Sequence, residues 1–262
     1  MIKKQIPNII TLLNLSCGAI AIYFAARDSL ITASLFVILG AVFDFFDGMT
    51  ARLLKVQSPM GKELDSLADD VTFGVAPGFI AFQVLGDVAT GNIWWMKFLA
   101  ILIPAFSAYR LAKFNLDERQ TTSFIGLATP ANALVWLSIG TMHELFMKHD
   151  TGSWLWSVGG VRVWQNIGPT VENPWFLSAL VVVLCIALVC ELPLFSLKFR
   201  NLSWSENYPR FVFLILSAIM AAIMGIVAVP FIMMLYIFIS ICYPPADGKT
   251  KAACNRRFRN SL

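Results

Sequence analysis

Charged side chains are scarce in this chain. Asp, Glu, Lys and Arg make up only 14% of its 262 residues, whereas 58% are hydrophobic. An average soluble domain carries about 25% charged residues, so a surface turned mostly to water is excluded. Mean hydropathy is +0.70, which places the chain among integral membrane proteins. Histidine occurs only twice, as His143 and His149. Neither lies near the aspartate-rich stretch at residues 44–70, which argues against zinc there. The five cysteines (Cys17, Cys185, Cys190, Cys242 and Cys254) show no metal-ligand spacing and mostly fall in apolar runs; they read as small buried hydrophobes. Internal repeats and low-complexity tracts are absent. The net charge of +4 does not call for nucleic acid, and the basic tail KTKAACNRRFRN suits anionic lipid head groups.

What is abundant is apolar sequence. Segments long enough to cross a bilayer, roughly 20 residues each, fall near 8–26, 29–46, 70–86, 95–114, 124–146, 175–197, 208–227 and 229–243. The last two share one apolar stretch divided around Gly225 to Pro230. The expected fold is therefore all-α, a polytopic membrane bundle of about eight helices forming a single domain over 1–262. Its core covers about 1–200, followed by two C-terminal helices (208–243) and a basic tail (244–262). The first run follows Lys3 and Lys4 like a signal-peptide core. Asn8, Thr11 and Asn14 interrupt it and no small-residue cleavage site follows, so it reads as retained. The loop 152–175, rich in Trp and Gly, reads as an outer interfacial cap.

Charge sets the orientation. With the N-terminus in the cytoplasm, sixteen cations fall inside (Lys3, Lys4, Arg52, Lys55, Lys62, Arg110, Lys113, Arg119, Lys198, Arg200, Arg210, Lys249, Lys251, Arg256, Arg257 and Arg259), and both termini face that side. Only four fall outside: Arg27, Lys97, Lys148 and Arg162. That positive-inside asymmetry places residues 44–70 at the cytoplasmic face.

Those residues read DFFDGMTARLLKVQSPMGKELDSLADD. Carboxylates beside hydrocarbon are costly unless they are paired, coordinated or facing water. Asp44 and Asp47 are three apart, Asp65 and Asp69 four apart, so each pair projects from one helical face. KVQSPMG between them can reverse the chain and point all four carboxylates into one space. Hard divalent cations such as Mg²⁺ or Mn²⁺ would relieve their repulsion. Asp70 points about 100° away from the Asp65 face and stays outside this set. Gly48 and Ala51 let a ligand approach the backbone, Gly61 does the same four residues before Asp65, and Arg52 offers a fork for phosphate oxygens. Together they describe a site for a diphosphate or for displacement at phosphorus. The competing reading has the aspartates capping helices or pairing with Arg52, Lys55 and Lys62.

The spacing D-x2-D-G-x2-A-R-x8-G-x3-D-x3-D resembles the signature of the CDP-alcohol phosphotransferase family. It is matched by Asp44, Asp47, Gly48, Ala51, Arg52, Gly61, Asp65 and Asp69. The resemblance implies a polytopic membrane enzyme that moves a phosphatidyl or similar group from a CDP-activated donor to an alcohol, releasing CMP. It implies two divalent ions held by Asp44, Asp47, Asp65 and Asp69, with Asp69 also deprotonating the acceptor. Gly48, Ala51 and Arg52 would contribute to the nucleotide site, which Asn8 and Thr11 could line. A homodimer is the implied assembly, and a bacterial inner membrane the simplest location.

Further segments resemble the phosphatidylserine synthase branch: IPNIITLLNLSCG (6–18), DSLADDVTFGVAPG (65–78), YRLAKFN (109–115) and FIGLATPANA (124–133). The last departs from the branch at Ala128, where a proline is expected. The branch implies CDP-diacylglycerol and L-serine as substrates. Serine carries a carboxylate, for which Arg110 is the candidate partner and Lys113 the second. Neither histidine opens a His-x-Lys pattern, so no covalent phosphatidyl-histidine is expected, and both read as polar residues near the outer face. Glu191 reads as a polar partner for Arg110 or a lysine. The alternatives are the same chemistry on glycerol 3-phosphate, inositol phosphate or choline, and a cation transporter.

Overall fold

The computed structural model of the chain describes residues 5–56, 58–116, 124–148, 158–191, 193–194 and 204–243. Helices α1 (Gln5–Ala25) and α2 (Leu30–Leu53) form an antiparallel pair. Their connection is tight: Asp28 takes a left-handed φ of 56°, and the Ser29 amide donates to the Phe24 carbonyl at 3.1 Å. Each helix buries a stripe of small residues: Gly18, Ala21 and Ala25 on α1, and Ala33, Ser34 and Gly40 on α2. Such stripes let helix backbones approach where no water drives association. The opposite faces are large and apolar, with Ile9, Leu12, Leu35, Ile38 and Phe45 exposed, as a lipid-facing surface requires.

After α2 the chain reverses as KVQSPMG predicted. Lys55 adopts a left-handed φ of 52°, and Ser58 caps α3 (Pro59–Asp70) by accepting from the Gly61 amide at 3.0 Å. Pro59 fits the first turn, where its missing N–H leaves nothing unsatisfied. Helix α3 continues through a π turn (Val71–Val75) into α4 (Ala76–Val88), one helical stretch of 30 residues. A 3₁₀ segment (Gly91–Ile101) leads into α5 (Leu102–Leu116). The remaining helices are α6 (Thr129–Met147), α7 (Val158–Val171), α8 (Pro174–Val189), α9 (Trp204–Met224) and α10 (Ala228–Cys242). A two-residue antiparallel pair, β1 (Phe124–Ile125) with β2 (Pro193–Leu194), ties the entry of α6 to the chain beyond α8.

Helix α6 runs through the middle of the bundle, with fourteen of its nineteen residues buried. Trp136, Ile139 and Met142 meet Phe73, Ile80 and Leu85 of the π turn and α4, and Leu177 and Val181 of α8, in one core. Helices α9 and α10 fold back on each other. Phe213 packs against Tyr236 (5.6 Å between ring centres) and Ile239, which a continuous helix at 1.5 Å per residue would hold far apart. The chain turns at Gly225 (φ 58°), within the division that the sequence indicated.

Several expectations need correction. Among the described residues, five helical stretches are long and apolar enough to cross a membrane, or six if the pair Gly160–Val171 and Pro174–Val189, bent by 89°, counts as one. These stretches fit the expected all-α membrane bundle; α9 and α10 pass as one stretch by length and composition although the chain turns between them at Gly225. The third segment begins at Pro59, not at residue 70, since the polar turns of α3 extend the helix beyond the apolar run. The sixth ends at Val189, not at 197, where Cys190 turns extended. Residues 158–171 of the expected outer loop form α7. The residues 149–157, the tail 244–262, Lys3, Lys4, Arg119, Lys198, Arg200, His149 and Cys254 lie outside the described residues.

Candidate active site

Four elements build the site at the end of the bundle where α2 turns into α3. Asp44 and Asp47 come from the last turns of α2, Asp65 from α3. One oxygen of each lies within 4.8 Å of the others. Asp47 is the most enclosed, at 5% exposure. Its Oδ2 sits 2.6 Å from the Thr11 hydroxyl, which also lies 3.0 Å from the Pro7 carbonyl. Asp65 keeps a buried Oδ1 with no hydrogen-bond partner among the described residues. A set of three converging carboxylates, one with an unsatisfied buried oxygen and none balanced by a cation at ion-pair distance among the described residues, fits a hard divalent cation. Without one, like charges at this range repel.

Asp69, one turn further along α3, stands outside that triad. Its Oδ1 accepts from the Asn14 amide at 3.3 Å. Asn14 is fully buried, and its backbone carbonyl accepts from the Thr72 hydroxyl at 3.1 Å. Asn14 thus joins α1 to both ends of the α3–π junction. Asp70 lies outside the converging group.

Beside the triad opens a cavity of about 500 Å³. Its walls are Pro7, Asn8 and Thr11 of α1, Asp47, Gly48 and Ala51 of α2, Val56, Ser58 and Pro59 of the turn, and Gly61, Lys62 and Asp65 of α3. Space at the two glycines differs. A Cβ at Gly48 would meet only the Arg52 guanidinium, at 4.0 Å, whereas at Gly61 it would crowd Ser58 Oγ at 3.1 Å and Asn8 Oδ1 at 3.2 Å. The structure therefore brings Asn8, Thr11, Gly48, Ala51 and Gly61 to one cavity with two of the aspartates.

Three candidates lie elsewhere. Arg52 is exposed and folds back along its own helix, Nε donating to the Gly48 carbonyl at 2.9 Å. Arg110 is buried on α5 at 8% exposure, with Nη1 3.4 Å from the Thr129 hydroxyl and near enough to Asp69 for their charges to interact. Lys113 pairs with Glu191 at 3.3 Å, so Glu191 meets a lysine, as expected. His143 is not an interfacial residue: it is 3% exposed, bridging Asp87 (3.0 Å) and Glu172 (2.9 Å). Partners on α4 and just after α7 bury it, where its place near the end of the apolar run 124–146 had suggested the interface.

Sequence reasoning missed Asn14, Ser58, Lys62 and Thr72. For Asn14 a signal existed, since a carboxamide inside an apolar run needs a partner. The identity of that partner, 55 positions away, required the fold.

Comparison with known proteins sharpens this picture. Residues 4–171 match the model of the CDP-alcohol phosphatidyltransferase family, and that span contains every acidic residue of the site and the whole cavity wall. Over 131 residues, 48% of this chain and 70% of the relative, it is 40% identical to a CDP-diacylglycerol--serine O-phosphatidyltransferase of Bacillus subtilis. The protein of that name in Mycobacterium leprae is 29% identical over 248 residues, 92% of this chain and 73% of the relative. Its namesake in Saccharomyces cerevisiae is 42% identical over 127 residues, 46% of this chain and 44% of the relative. With the matched span enclosing the carboxylate cluster and its cavity, the chain belongs to the CDP-alcohol phosphatidyltransferase family.

Proposed function

We propose that the chain transfers a phosphatidyl group from CDP-diacylglycerol to the hydroxyl of L-serine, giving phosphatidylserine and CMP. The observation that carries this reading is the aspartate cluster: Asp44, Asp47 and Asp65 converge beside the cavity, while Asp69, one turn further along α3, accepts from Asn14 and lies within reach of the charge of Arg110. The names of the relatives support serine as acceptor.

In this reading Asn8, Thr11, Gly48, Ala51 and Gly61 seat the nucleotide and diphosphate, and Arg52 covers the rim. Asp69 takes the proton of the serine hydroxyl as that oxygen attacks the phosphorus bearing diacylglycerol. The bond from that phosphorus to the CMP phosphate oxygen breaks, and CMP leaves with the electron pair. Asn14 orients Asp69 toward the acceptor, and Arg110, with Lys113 the second candidate, receives the serine carboxylate. Two divalent ions, Mg²⁺ or Mn²⁺, held by Asp44, Asp47, Asp65 and Asp69, would supply charge neutralisation of the diphosphate and of the departing CMP. The site faces the cytoplasm, as the positive-inside asymmetry supports, in what we infer to be a homodimer of a bacterial inner membrane.

The test is CMP release by the purified chain given CDP-diacylglycerol, Mn²⁺ or Mg²⁺, and one acceptor at a time. L-serine is expected to support release, and Asp69→Asn to cut it by about 10²–10⁴-fold. Release with glycerol 3-phosphate, inositol phosphate or choline in place of serine would keep the chemistry and refute the acceptor.

A further inference from the structure

The end of the bundle away from the aspartates holds a buried titratable group that the transfer reaction does not use. His143, in the last turns of α6, is 3% exposed. Its Nε2 lies 3.0 Å from Asp87 Oδ2 and its Nδ1 2.9 Å from Glu172 Oε1. Each acid is fixed by its own element. Asp87 stands one residue before the end of α4. Glu172 follows α7 directly: its amide donates to the Gly168 carbonyl at 2.8 Å, and Asn173 beside it caps α8 by accepting from the Trp175 amide at 2.9 Å. The ring, bonded at both nitrogens, joins α4 to the corner between α7 and α8.

Counting protons gives the state of the cluster. Each contact holds only if one hydrogen lies between its heavy atoms. Two ionised carboxylates bring none and a neutral imidazole brings one, so one contact would set lone pair against lone pair. A second proton removes that conflict, and the ring is its seat because imidazole is about a hundredfold more basic than a carboxylate. Among the described residues, no other cation lies at ion-pair distance from either acid. Glu144, next along α6, receives Lys148 and the Ile31 amide. Asp28, in the α1–α2 turn, accepts from Gln83, one turn before Asp87. Lys97 stands over the rings of Phe82, Trp94 and Phe98, and Arg27 over that of Tyr23; Arg162 of α7 is exposed. Of the other helices packed on α6, α2 and α5 carry their charges toward the aspartate end. Helices α8 and α10 carry none, their titratable side chains being Cys185 on α8 and Tyr236 and Cys242 on α10.

We propose that Asp87, His143 and Glu172 form a proton-binding site, in which a proton held on the ring as imidazolium closes α4, α6 and the α7–α8 corner on one another. The site lies outside the transfer chemistry and does not rest on the serine reading. When the chain unfolds the ring returns to water, where imidazole gives up its proton above about pH 6.5. Above that pH the folded chain binds one proton more than the unfolded chain. Stability therefore falls as pH rises, by up to about tenfold in the folding equilibrium per pH unit, until the folded cluster itself releases the proton. Below that pH the contribution is complete. Asp87 is the route for exchange: its side chain is 49% exposed, against 18% for Glu172. In the orientation that the cation asymmetry supports, Asp87 opens to the outside, so the site responds to the pH of the outer compartment.

The experiment follows the Tm of the purified full chain, without added metal, from about pH 6 to about pH 9 in wild type, Asp87→Asn and Glu172→Gln. In either variant the new amide donates an N–H to the ring nitrogen that it faces, and the other ring N–H serves the remaining acid, so a neutral imidazole suffices. All three proteins keep the aspartate cluster, whose titration cancels between the curves. Wild type is expected to lose stability steadily as the pH rises above about 6.5, and both variants to lose less. A second measurement reads the proton itself. Nitrogen-15 spectra of histidine-labelled protein, taken about one pH unit above the ordinary imidazole value, should show His143 protonated at both nitrogens in wild type and at one in Asp87→Asn, with His149→Gln assigning the two rings. Parallel Tm curves in wild type and both variants, or a wild-type ring protonated at one nitrogen only, would overturn the proton site.

Discussion

Asp69 depends on a single amide. The Asn14 contact at 3.3 Å is the hydrogen bond that fixes its carboxylate among the described residues, and Asn14 in turn is held through its carbonyl by Thr72. Asn14→Ala is expected to lower kcat about tenfold or more with a smaller effect on KM, because a misdirected base loses proton-transfer geometry before it loses binding. Steady-state CMP release at varied serine separates the two. Thr11 has the corresponding position behind Asp47, donating at 2.6 Å. Partners of this kind, standing behind metal ligands, change affinity by about 10–100-fold when removed. Thr11→Val should raise the concentration of Mn²⁺ needed for half-maximal activity by that factor. The convergence of Asp44, Asp47 and Asp65 was legible in the sequence, because spacing puts Asp44 and Asp47 on one helical face and the turn brings α3 back beside it. Asp69 was expected in the same group and lies outside it.

At the scale of elements, the site rests on a junction of α1, α2 and the π turn, and the junction is tight. A Cβ at Gly18 would stand 2.5 Å from Thr72 Oγ1 and 2.9 Å from its Cα; one at Gly40 would stand 2.7 Å from Thr72 Cγ2 and 2.9 Å from Asn14 Oδ1. Neither glycine carries a functional group, yet both determine where Asn14 and Thr72 lie. Gly40→Val is expected to destabilise the chain by about 1–3 kcal/mol through overpacking. It should also lower kcat, because the displaced Asn14 no longer meets Asp69. A thermal melt reads the first effect and CMP release at saturating serine the second; loss of stability with full kcat would show the junction to be structural only. The reversal at KVQSPMG was legible, since a Pro- and Gly-containing break between two helical pairs of aspartates is a local signal. The π turn was not. It shifts the phase of α4 relative to α3 without any change of residue type, and hydropathy does not record phase. The short helix α7 escaped because a search for apolar runs passes over amphipathic turns.

Across the whole molecule, the two ends of the bundle are balanced in different ways. At the end described as the site, three carboxylates converge without a cation at ion-pair distance among the described residues. At the other, His143 lies between Asp87 and Glu172, and Glu144 receives both Lys148 and the Ile31 amide. A neutral imidazole has one N–H to give, so bridging two carboxyl groups requires either an imidazolium or a protonated acid. That cluster is satisfied from within the chain and ties α4, α6 and the end of α7 together; the aspartate cluster is not, and in the proposed reading a divalent ion would balance it. Divalent ion should therefore raise the Tm of the folded chain, by a shift corresponding to about 2.7 kcal/mol at a hundred times its Kd, and chelation should reverse it. Asp44→Asn, which reduces the repulsion and removes a ligand, should raise the melting temperature of the metal-free chain and shrink the metal-induced shift. His143→Gln should act in the opposite pattern: a lower Tm, since a carboxamide cannot serve both acids, and an undiminished response to Mn²⁺, since the two clusters share no residue. A metal-induced shift that fell together in both variants would mean that the ends are coupled through α4 and α6, and that the bundle does not hold its site independently of the clasp at its opposite end.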